Sequence, residues 1–265
     1  MAEERPRDER PAVTAPRNIR VVVAAHKPYR MPEDPVYLPV QVGAAGKEPL
    51  GFTRDDTGDN ISARNASFCE LTGLYWAWRN LSADAVGLVH YRRHFKGAHG
   101  IATGAELARL LAGHDVVLPR ARNYFIESTY SQYVHAHHAC DLDVTRKILE
   151  ERHPAYVAAF DAVMKSTKGH RFNMFVMRRD AFDAYCAWLF DVLFELERRL
   201  DVSAYSAYDA RVFGFVGERL LDVWLRVRGA TCVELPVLHL ESQKWVAKAF
   251  RFLWRKFAPR RESKK

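Results

Sequence analysis

Residues 58–95 read GDNISARNASFCELTGLYWAWRNLSADAVGLVHYRRHF. Apolar side chains at 68, 71, 75 and 78 recur at helical spacing, which predicts one helix capped at Asn60 or Ser62. A short apolar strand over residues 84–89 follows and stops on His90, Tyr91, Arg92, Arg93 and His94. Cationic side chains at the end of a buried strand are costly unless an anion meets them. This stretch therefore predicts an anion-binding site.

The residues before this stretch predict two further strands. Residues 19–25 (IRVVVAA) are a continuous apolar run, typical of a strand buried on both faces, and the run ends at His26 and Lys27. Open α/β sheets bind ligands at the carboxyl ends of strands, so both residues are candidates; a plain surface turn is the alternative. A second strand, residues 37–42, precedes Gly43 and Ala44, whose small side chains permit close approach to a ligand.

The polar and charged residues of the opening stretch lie at a predicted helix start and at a predicted strand end. Asn60, Arg64 and Asn65 lie at the predicted helix start, where free backbone N–H groups and the helix dipole favour an anion. Adjacent residues of an extended strand point to opposite faces, so only one of the two arginines should reach a given ligand unless the chain bends. Arg92, with His90 on the same side, is the favoured candidate.

The second half of the chain adds predicted strands and helices. Residues 171–177 are predicted as a strand that contains Asn173, a polar residue that needs partners if buried. A long helix is predicted over residues 180–200, and a later one carries Glu218 in a Gly-Glu-Arg turn at its start. Residues 233–240 are predicted as the last strand, with His239 among apolar neighbours.

A histidine-rich segment, residues 132–143 (QYVHAHHACDLD), suggests two interpretations. His135, His137 and His138 with Asp141 are residue types that bind metals. Asp141 also precedes a clear helix, and an acidic residue at a helix start has a sufficient explanation in capping. The four cysteines contain no C-x-x-C pair, so no zinc knuckle or redox motif is visible.

The charge is concentrated at the C-terminus. The formal net charge is +8, and residues 243–265 contain nine Lys or Arg against one Glu, which is +8 by itself. A basic segment on a near-neutral domain argues against nucleic acid as the main ligand. Its basic stripe and Trp- and Phe-rich face predict an amphipathic helix on an anionic membrane surface; a helix packed on the domain is the alternative. We expect residues 1–17 to be disordered and residues 18–242 to form one domain.

Several long segments carry a resemblance to a known family. They are AAHKPY from residue 24, VGAA from 42, GDNISARN from 58, CELTGLYWAW from 69, GLVHYRRHF from 87, QYVHAHHACDLD from 132, FNMFVMRRDAFDAYCAWLF from 172 and RVFGFVGERLLDVWL from 211. Over residues 19–237 the chain resembles bacterial capsular polysaccharide and exopolysaccharide synthesis proteins, long catalogued as a domain of unknown function. That family is now grouped with glycosyltransferases, including galactofuranosyltransferases.

The resemblance implies an α/β fold: a single GT-A-like, Rossmann-like nucleotide-sugar-binding domain with a mixed central sheet flanked by helices. It also implies a UDP-sugar donor, possibly of galactofuranose or another hexose, and a lipid-linked oligosaccharide acceptor. Such an enzyme would be cytoplasmic and peripheral at the inner face of the cell membrane. The predicted donor-site residues are His26, Lys27, Gly43, Ala44, Asn60, Arg64, Asn65, His90, Tyr91, Arg93 and Asn173.

Catalytic roles also follow from the resemblance. Most such enzymes hold Mn²⁺ or Mg²⁺ with a D-x-D motif at the strand that here ends in HYRRHF, and this chain has no acidic pair there. Arg92 is therefore the predicted partner of the leaving diphosphate, and Glu218 or Asp209 the general base. A weaker metal alternative uses His137, Asp141 and His239. The contrasting hypothesis is a non-catalytic module that binds glycans or lipids at the membrane surface.

Overall fold

The computed structural model describes residues 14–241. Its strands are β1 Ile19–Ala25, β2 Tyr37–Gln41, β3 Thr53–Arg54, β4 Ala85–His90, β5 Arg93–Gly97, β6 Gly100–Ile101, β7 Val116–Pro119, β8 Arg122–Asn123, β9 Lys168–Gly169, β10 Phe175–Arg178, β11 Cys232–Leu235 and β12 Val237–His239. Its α-helices are α1 Asn65–Phe68, α2 Leu71–Asn80, α3 Gly104–Leu111, α4 Thr129–Val134, α5 Ala139–Arg152, α6 Val157–Lys165, α7 Arg179–Arg199 and α8 Val212–Arg228. Short 3₁₀ helices occupy Ser62–Arg64, Pro154–Tyr156 and Asp209–Arg211.

The central sheet is mixed and has the order β11-β7-β10-β4-β1-β2-β3. Along this path only β10 runs antiparallel to its neighbours, β4 and β7. The carboxyl ends of β1, β4, β7 and β11 therefore lie at one edge of the sheet, which we call the carboxyl edge. Beyond β4 the chain reverses into β5, which pairs with β12.

Both faces of the sheet are covered, as the apolar runs predict. On β1, Val22 and Ala24 belong to the core cluster formed with α2, α7 and α8. Val21 and Val23 belong to the cluster on the opposite face, which includes Leu107 of α3. Alternate side chains of one strand thus fill two cores, so the strand has no polar face. The predicted mixed α/β architecture is confirmed.

Three predicted elements are wrong in detail. The helix expected from Asn60 onward is interrupted at Cys69, whose φ of 53° separates α1 from α2. The strand expected over residues 171–177 begins only at Phe175, because Phe172 and Asn173 also have positive φ. The last strand is divided at Pro236, since proline has no N–H to donate to a sheet. Each case is a local backbone bend inside an otherwise apolar segment.

A buried carboxylate, Asp55, ties three segments together. Its two oxygens accept the backbone N–H groups of Gly43 and Ala44, at 2.8 and 2.9 Å. They also accept the hydroxyl groups of Ser62, in a 3₁₀ helix, and Thr72, in α2. Asp55 has no exposed surface, so these four donors replace its hydration. The loop after β2 is thereby held against α2.

Residues 14–17 are the described part of the predicted N-terminal segment. Within the predicted N-terminal segment, the backbone N–H of Arg17 donates to Asp84 at 2.9 Å. The predicted amphipathic helix of residues 243–265 lies outside the described residues. The domain boundaries stay predictions. No helix within residues 14–241 has the length and apolar character needed to cross a membrane.

We expect Asp55→Ala to lower the free energy of unfolding by about 3 kcal/mol or more, because four buried donors lose their acceptor. Urea denaturation would measure the loss. Asp59→Ala is the matched control: its carboxylate is 48% exposed and pairs with Arg79, so its loss should cost less than about 1 kcal/mol. Equal losses for the two variants would contradict the role given to Asp55.

Candidate active site

A cavity of about 550 Å³ opens at the carboxyl edge, beside the ends of β1 and β4. The ends of parallel strands are where α/β sheets ordinarily bind ligands. Its lining combines cations, carboxylates and aromatic rings: Ala24, His26, Val42, Asn65, Ala66, Cys69, Glu70, His90, Tyr91, Arg92, Arg93, Phe172, Arg211 and Glu218. Residues from six separate segments of the chain thus converge on one cavity.

The reversal between β4 and β5 brings both arginines of the opening stretch into this cavity. His90 and Arg93 are paired across the turn, and only Tyr91 and Arg92 lie between the two strands. The expectation that only one arginine reaches a common ligand assumed an extended chain. The chain bends here instead, and this two-residue turn ends the alternation of a straight strand.

Arg93 is half-buried and lacks a charged partner. Its guanidinium lies over the Phe172 ring, 4.5 Å from the centroid. Within residues 14–241 its side chain makes no hydrogen bond or ion pair within ordinary distance limits. Burial and then the neighbouring Arg92 lower the pKa of Arg93, while the more distant Glu218 and Glu70 oppose that shift. A guanidinium in this position is suited to an anionic ligand, because the ligand would supply the missing hydrogen bonds.

Arg92 and Lys27 lie where the cavity meets solvent. Arg92 donates to Glu241 at 3.1 Å, and the Lys27 amine is 3.9 Å from the same carboxylate. The backbone N–H of Leu240 also donates to the Arg92 carbonyl at 3.0 Å. Lys27 does not line the cavity itself, and its direct contact with a ligand stays a prediction. A bound anion would compete with Glu241 for Arg92.

Two carboxylates face the arginines. Glu218 accepts the backbone N–H of Phe172 at 3.2 Å on one oxygen and the Arg219 guanidinium at 2.9 Å on the other. It lies inside α8, not in a turn before the helix as predicted. Glu70 accepts the Asn173 amide at 2.7 Å on Oε1. No described residue donates a hydrogen bond to the second Glu70 oxygen, so this oxygen is available to a ligand.

Asn173 positions a cavity residue and does not line the cavity itself. It is 1% exposed, and its amide bridges Glu70 and the Gly214 carbonyl. With so little exposed surface Asn173 meets the cavity through Glu70, and its contact with a sugar stays a prediction. The positive φ of Asn173 points its side chain at Glu70 while His90 donates to the adjacent Phe172 carbonyl.

Sequence reasoning missed seven lining residues, of which three are aliphatic; the four with polar or aromatic side chains are Cys69, Glu70, Phe172 and Arg211. Neither Glu70, inside the helix predicted from the opening stretch, nor Arg211 carries a local signal of a site. The Arg211 guanidinium donates to the Cys69 sulfur at 3.1 Å and lies over the Phe215 ring. Burial raises the pKa of the Cys69 thiol to about 11, so this group stays protonated near neutral pH.

The predicted helix-start site is divided by the structure. Asn65 lines the cavity, but Arg64 pairs with Glu197 at 2.8 Å, and the Asn60 side chain bonds within its own turn. The N–H groups of Gly43 and Ala44 donate to Asp55 and neither residue lines the cavity, so their close approach to a ligand stays a prediction. Gly43 is still required: a Cβ there would lie 2.4 Å from the Asn65 side chain, at a φ of +62°.

The histidine-rich segment lies elsewhere. Asp209 accepts His137 at 3.3 Å and Ser206 at 2.8 Å; burial raises its pKa, but these hydrogen bonds outweigh burial and lower it. Asp209 does not line the cavity and is a poor general base. Asp141 accepts two tyrosine hydroxyls. Within residues 14–241, no three His, Cys, Asp or Glu residues form a group that could hold a metal ion.

The proposed metal trio is therefore not assembled. His239 belongs to β12, where it is paired with Arg93, and its ring lies 6.3 Å from that of Phe172. His137 and Asp141 belong to the separate cluster around α4 and α5. The cavity itself offers two carboxylates among three guanidinium groups, a donor set that does not fit a resident divalent cation.

Comparison with known proteins accords with this fold. Residues 20–229 match the model of DUF4422, a domain of unknown function. The chain belongs to this family. No curated protein matches it. Among solved structures it is similar to the apo structure of WbbM, a bifunctional glycosyltransferase, with a TM-score of 0.79 and 29% identity. The similarity covers 85% of this chain and 46% of the WbbM chain, so the chain spans less than half of WbbM. The predicted GT-A-like fold is confirmed.

We expect anion binding to this DUF4422 chain to strengthen as pH falls from about 8 to about 6. Burial and the charges of Arg92 and Lys27 lower the pKa of His26 in the free protein. An anion that neutralises these cations raises that pKa, so binding takes up a proton. Calorimetry with inorganic pyrophosphate in buffers of different ionisation enthalpy would measure the uptake. Because pyrophosphate itself titrates, His26→Gln is the reference, and equal proton uptake by the two proteins would refute the idea.

Proposed function

We propose that this chain is a glycosyltransferase that uses a nucleotide-diphosphate sugar, most simply a UDP-sugar. The observation that carries the proposal is the Arg93 guanidinium, half-buried at the carboxyl edge without a charged partner within residues 14–241. A leaving diphosphate develops negative charge that must be stabilised. The likeness to WbbM supports the same reaction class.

In this proposal Arg93 and Arg92 hold the diphosphate. Arg93 is oriented in advance by Phe172, so little side-chain entropy is lost when it binds. Arg92 exchanges the Glu241 carboxylate for a phosphate oxygen. Arg211 lies across the same cavity and adds positive charge. The positive charge that a D-x-D-bound Mn²⁺ or Mg²⁺ supplies in related enzymes would come here from guanidinium groups.

A carboxylate must accept the proton of the acceptor hydroxyl if the transfer inverts configuration. Glu218 is the residue predicted from the sequence, but both of its oxygens already accept hydrogen bonds, one from the buried Arg219. Glu70 has an oxygen without a described donor, and Asn173 holds its other oxygen. We therefore assign the base to Glu70 and give Glu218 the role of positioning the Phe172 segment.

The proposal extends to the acceptor, the transferred sugar and the place of the enzyme in the cell. The acceptor would be a lipid-linked oligosaccharide of a capsule, exopolysaccharide or other cell-surface glycan, and the sugar galactofuranose or another hexose. The basic residues 243–265 would hold the enzyme peripherally on the anionic inner face of the cell membrane. Thermal stabilisation and hydrolysis across a panel of nucleotide sugars, with and without Mn²⁺ or Mg²⁺, test the donor. A chain that none of them stabilises would be the non-catalytic glycan- or lipid-binding module.

We expect Arg93→Met to weaken UDP binding by about 10- to 100-fold, since a charge-assisted contact is lost. The melting temperature should stay the same or rise, because the substitution removes a half-buried charge that has no partner. Calorimetry and thermal denaturation measure the two effects. Arg64→Met is the matched control, with the same substitution at a predicted site residue outside the cavity, and UDP affinity should not change. Unaltered affinity in Arg93→Met would overturn the diphosphate role.

We expect Glu70→Gln to lower kcat by about 10²- to 10⁴-fold with little change in KM, as for the loss of a general base. Glu218→Gln should affect kcat less and the melting temperature more, because Arg219 loses a charged partner in the core. Steady-state kinetics with the donor found in the panel separate the two. A larger loss of kcat in Glu218→Gln would return the base to Glu218.

A further inference from the structure

Phe125 and Ile126 are the most exposed large apolar residues of the described chain. Phe125 is 80% exposed and Ile126 74% exposed, and they are adjacent in the loop between β8 and α4. Single exposed apolar residues are common on soluble proteins, but a neighbouring pair at a loop tip is not explained by folding. We call the two residues the apolar tip.

The loop holds the apolar tip outward through specific contacts. Phe125 has a φ of 59°, a left-handed conformation that a bulky residue rarely adopts. The Asn123 side chain accepts the Phe125 N–H at 2.8 Å, and the Tyr124 carbonyl accepts the Ile126 N–H at 2.7 Å. A backbone in this conformation directs both side chains to solvent, although apolar side chains are more stable when buried. Strain of this kind marks functional loops.

The base of the loop is firmly anchored. Tyr124 is buried, its N–H donates to the Thr167 carbonyl at 2.8 Å, and its hydroxyl accepts Arg171 at 2.6 Å. On the other side of the tip, Glu127 is 6% exposed and pairs with His135 at 2.8 Å. The tip therefore projects from two buried, hydrogen-bonded residues, and the acidic residue next to it is turned inward.

The charges around the apolar tip are mainly positive. Arg120, Arg122 and Lys168 are exposed, and Lys168 lies opposite Asn123 in the β8–β9 pair. Glu234, the nearby exposed acid, accepts the Ala121 N–H and pairs with His170 at 3.2 Å. Apolar side chains surrounded by solvated cations are typical of proteins that insert into an anionic lipid surface.

The apolar tip also lies on the side of the sheet where the cavity opens. Its loop follows β7, whose carboxyl end lies at the carboxyl edge with those of β1 and β4. The contacts continue from Tyr124 through Arg171 to Phe172, which lines the cavity. A surface bound to the tip would therefore lie beside the cavity opening.

We propose that Phe125 and Ile126 insert into the interface of an anionic lipid bilayer, with Arg120, Arg122 and Lys168 on the headgroups. This contact belongs to the folded domain and is distinct from the basic residues 243–265. It would present the cavity to an acceptor carried in the membrane. The inference does not rest on transfer activity, because lipid binding is measured without any sugar nucleotide.

The test is co-sedimentation of the full chain with phosphatidylglycerol–phosphatidylcholine vesicles. We expect Phe125→Ser with Ile126→Ser to lower the partition coefficient by about tenfold or more, because two apolar side chains no longer insert. Residues 243–265 are unchanged in this variant, so the loss belongs to the tip. Val227→Ser, at an exposed apolar site in α8, is the matched control and should keep the wild-type value.

Further measurements keep the test decisive. The melting temperature of the double variant should match the wild type, and Ile126→Asn alone should give an intermediate partition coefficient. Arg122→Gln should weaken binding to the anionic vesicles and leave weak binding to pure phosphatidylcholine unchanged. Partition coefficients within twofold of the wild type for the double variant would overturn the proposal. If the double variant keeps the wild-type partition coefficient and loses a dimer that the wild type forms in sedimentation equilibrium, the tip is a protein–protein contact instead.

Discussion

The tight turn between β4 and β5 is the constraint on which the site depends. β4 is held between β1 and β10, and β5 is held by β12, so the register of both strands is set by neighbours on either side. His90 and Arg93 are paired across the turn. One residue more or fewer would reverse the faces of β5. The two arginines, adjacent in sequence, share one cavity only because of this register.

The positive charges in the cavity are only partly paired, and the unpaired charge makes the cavity suited to an anionic ligand. Arg92 has Glu241 and Arg211 has the Cys69 sulfur, whereas Arg93 has only an aromatic ring among the described residues. An unpaired buried charge lowers stability, and an anionic ligand would recover that free energy on binding. The neighbouring bends at Cys69 and Asn173 have positive φ, so backbone strain is concentrated in the same region.

The walls of the cavity are rigid because buried polar groups hold them. Asp55 ties the loop after β2 to α2, and Asn173 ties Glu70 to α8 through the Gly214 carbonyl. Each of these groups is almost fully buried, so its hydrogen bonds exclude alternative arrangements at high energetic cost. The same principle holds the apolar tip outward, where Tyr124 and Glu127 are anchored below two exposed side chains.

The sequence by itself determined the elements that periodicity describes. The apolar runs of β1 and β4 were predicted correctly, because residues buried on both faces of a sheet must be continuously apolar. The long helix α7 was predicted correctly from its apolar spacing. The cationic end of β4 as a site for an anion was also a prediction from sequence, since charge at a buried strand end has few explanations.

Only the tertiary structure decided which polar residues meet in the cavity. Glu70 and Asn173 are 103 positions apart, and no local pattern indicates their hydrogen bond. Gly43 and Ala44 were assigned to a ligand because their side chains are small, and only the folded chain shows that Asp55, in a later turn, accepts their N–H groups. Apolar periodicity reports only which side of an element faces the core. The pairing of polar groups depends on backbone bends and long-range packing, which are properties of the folded chain.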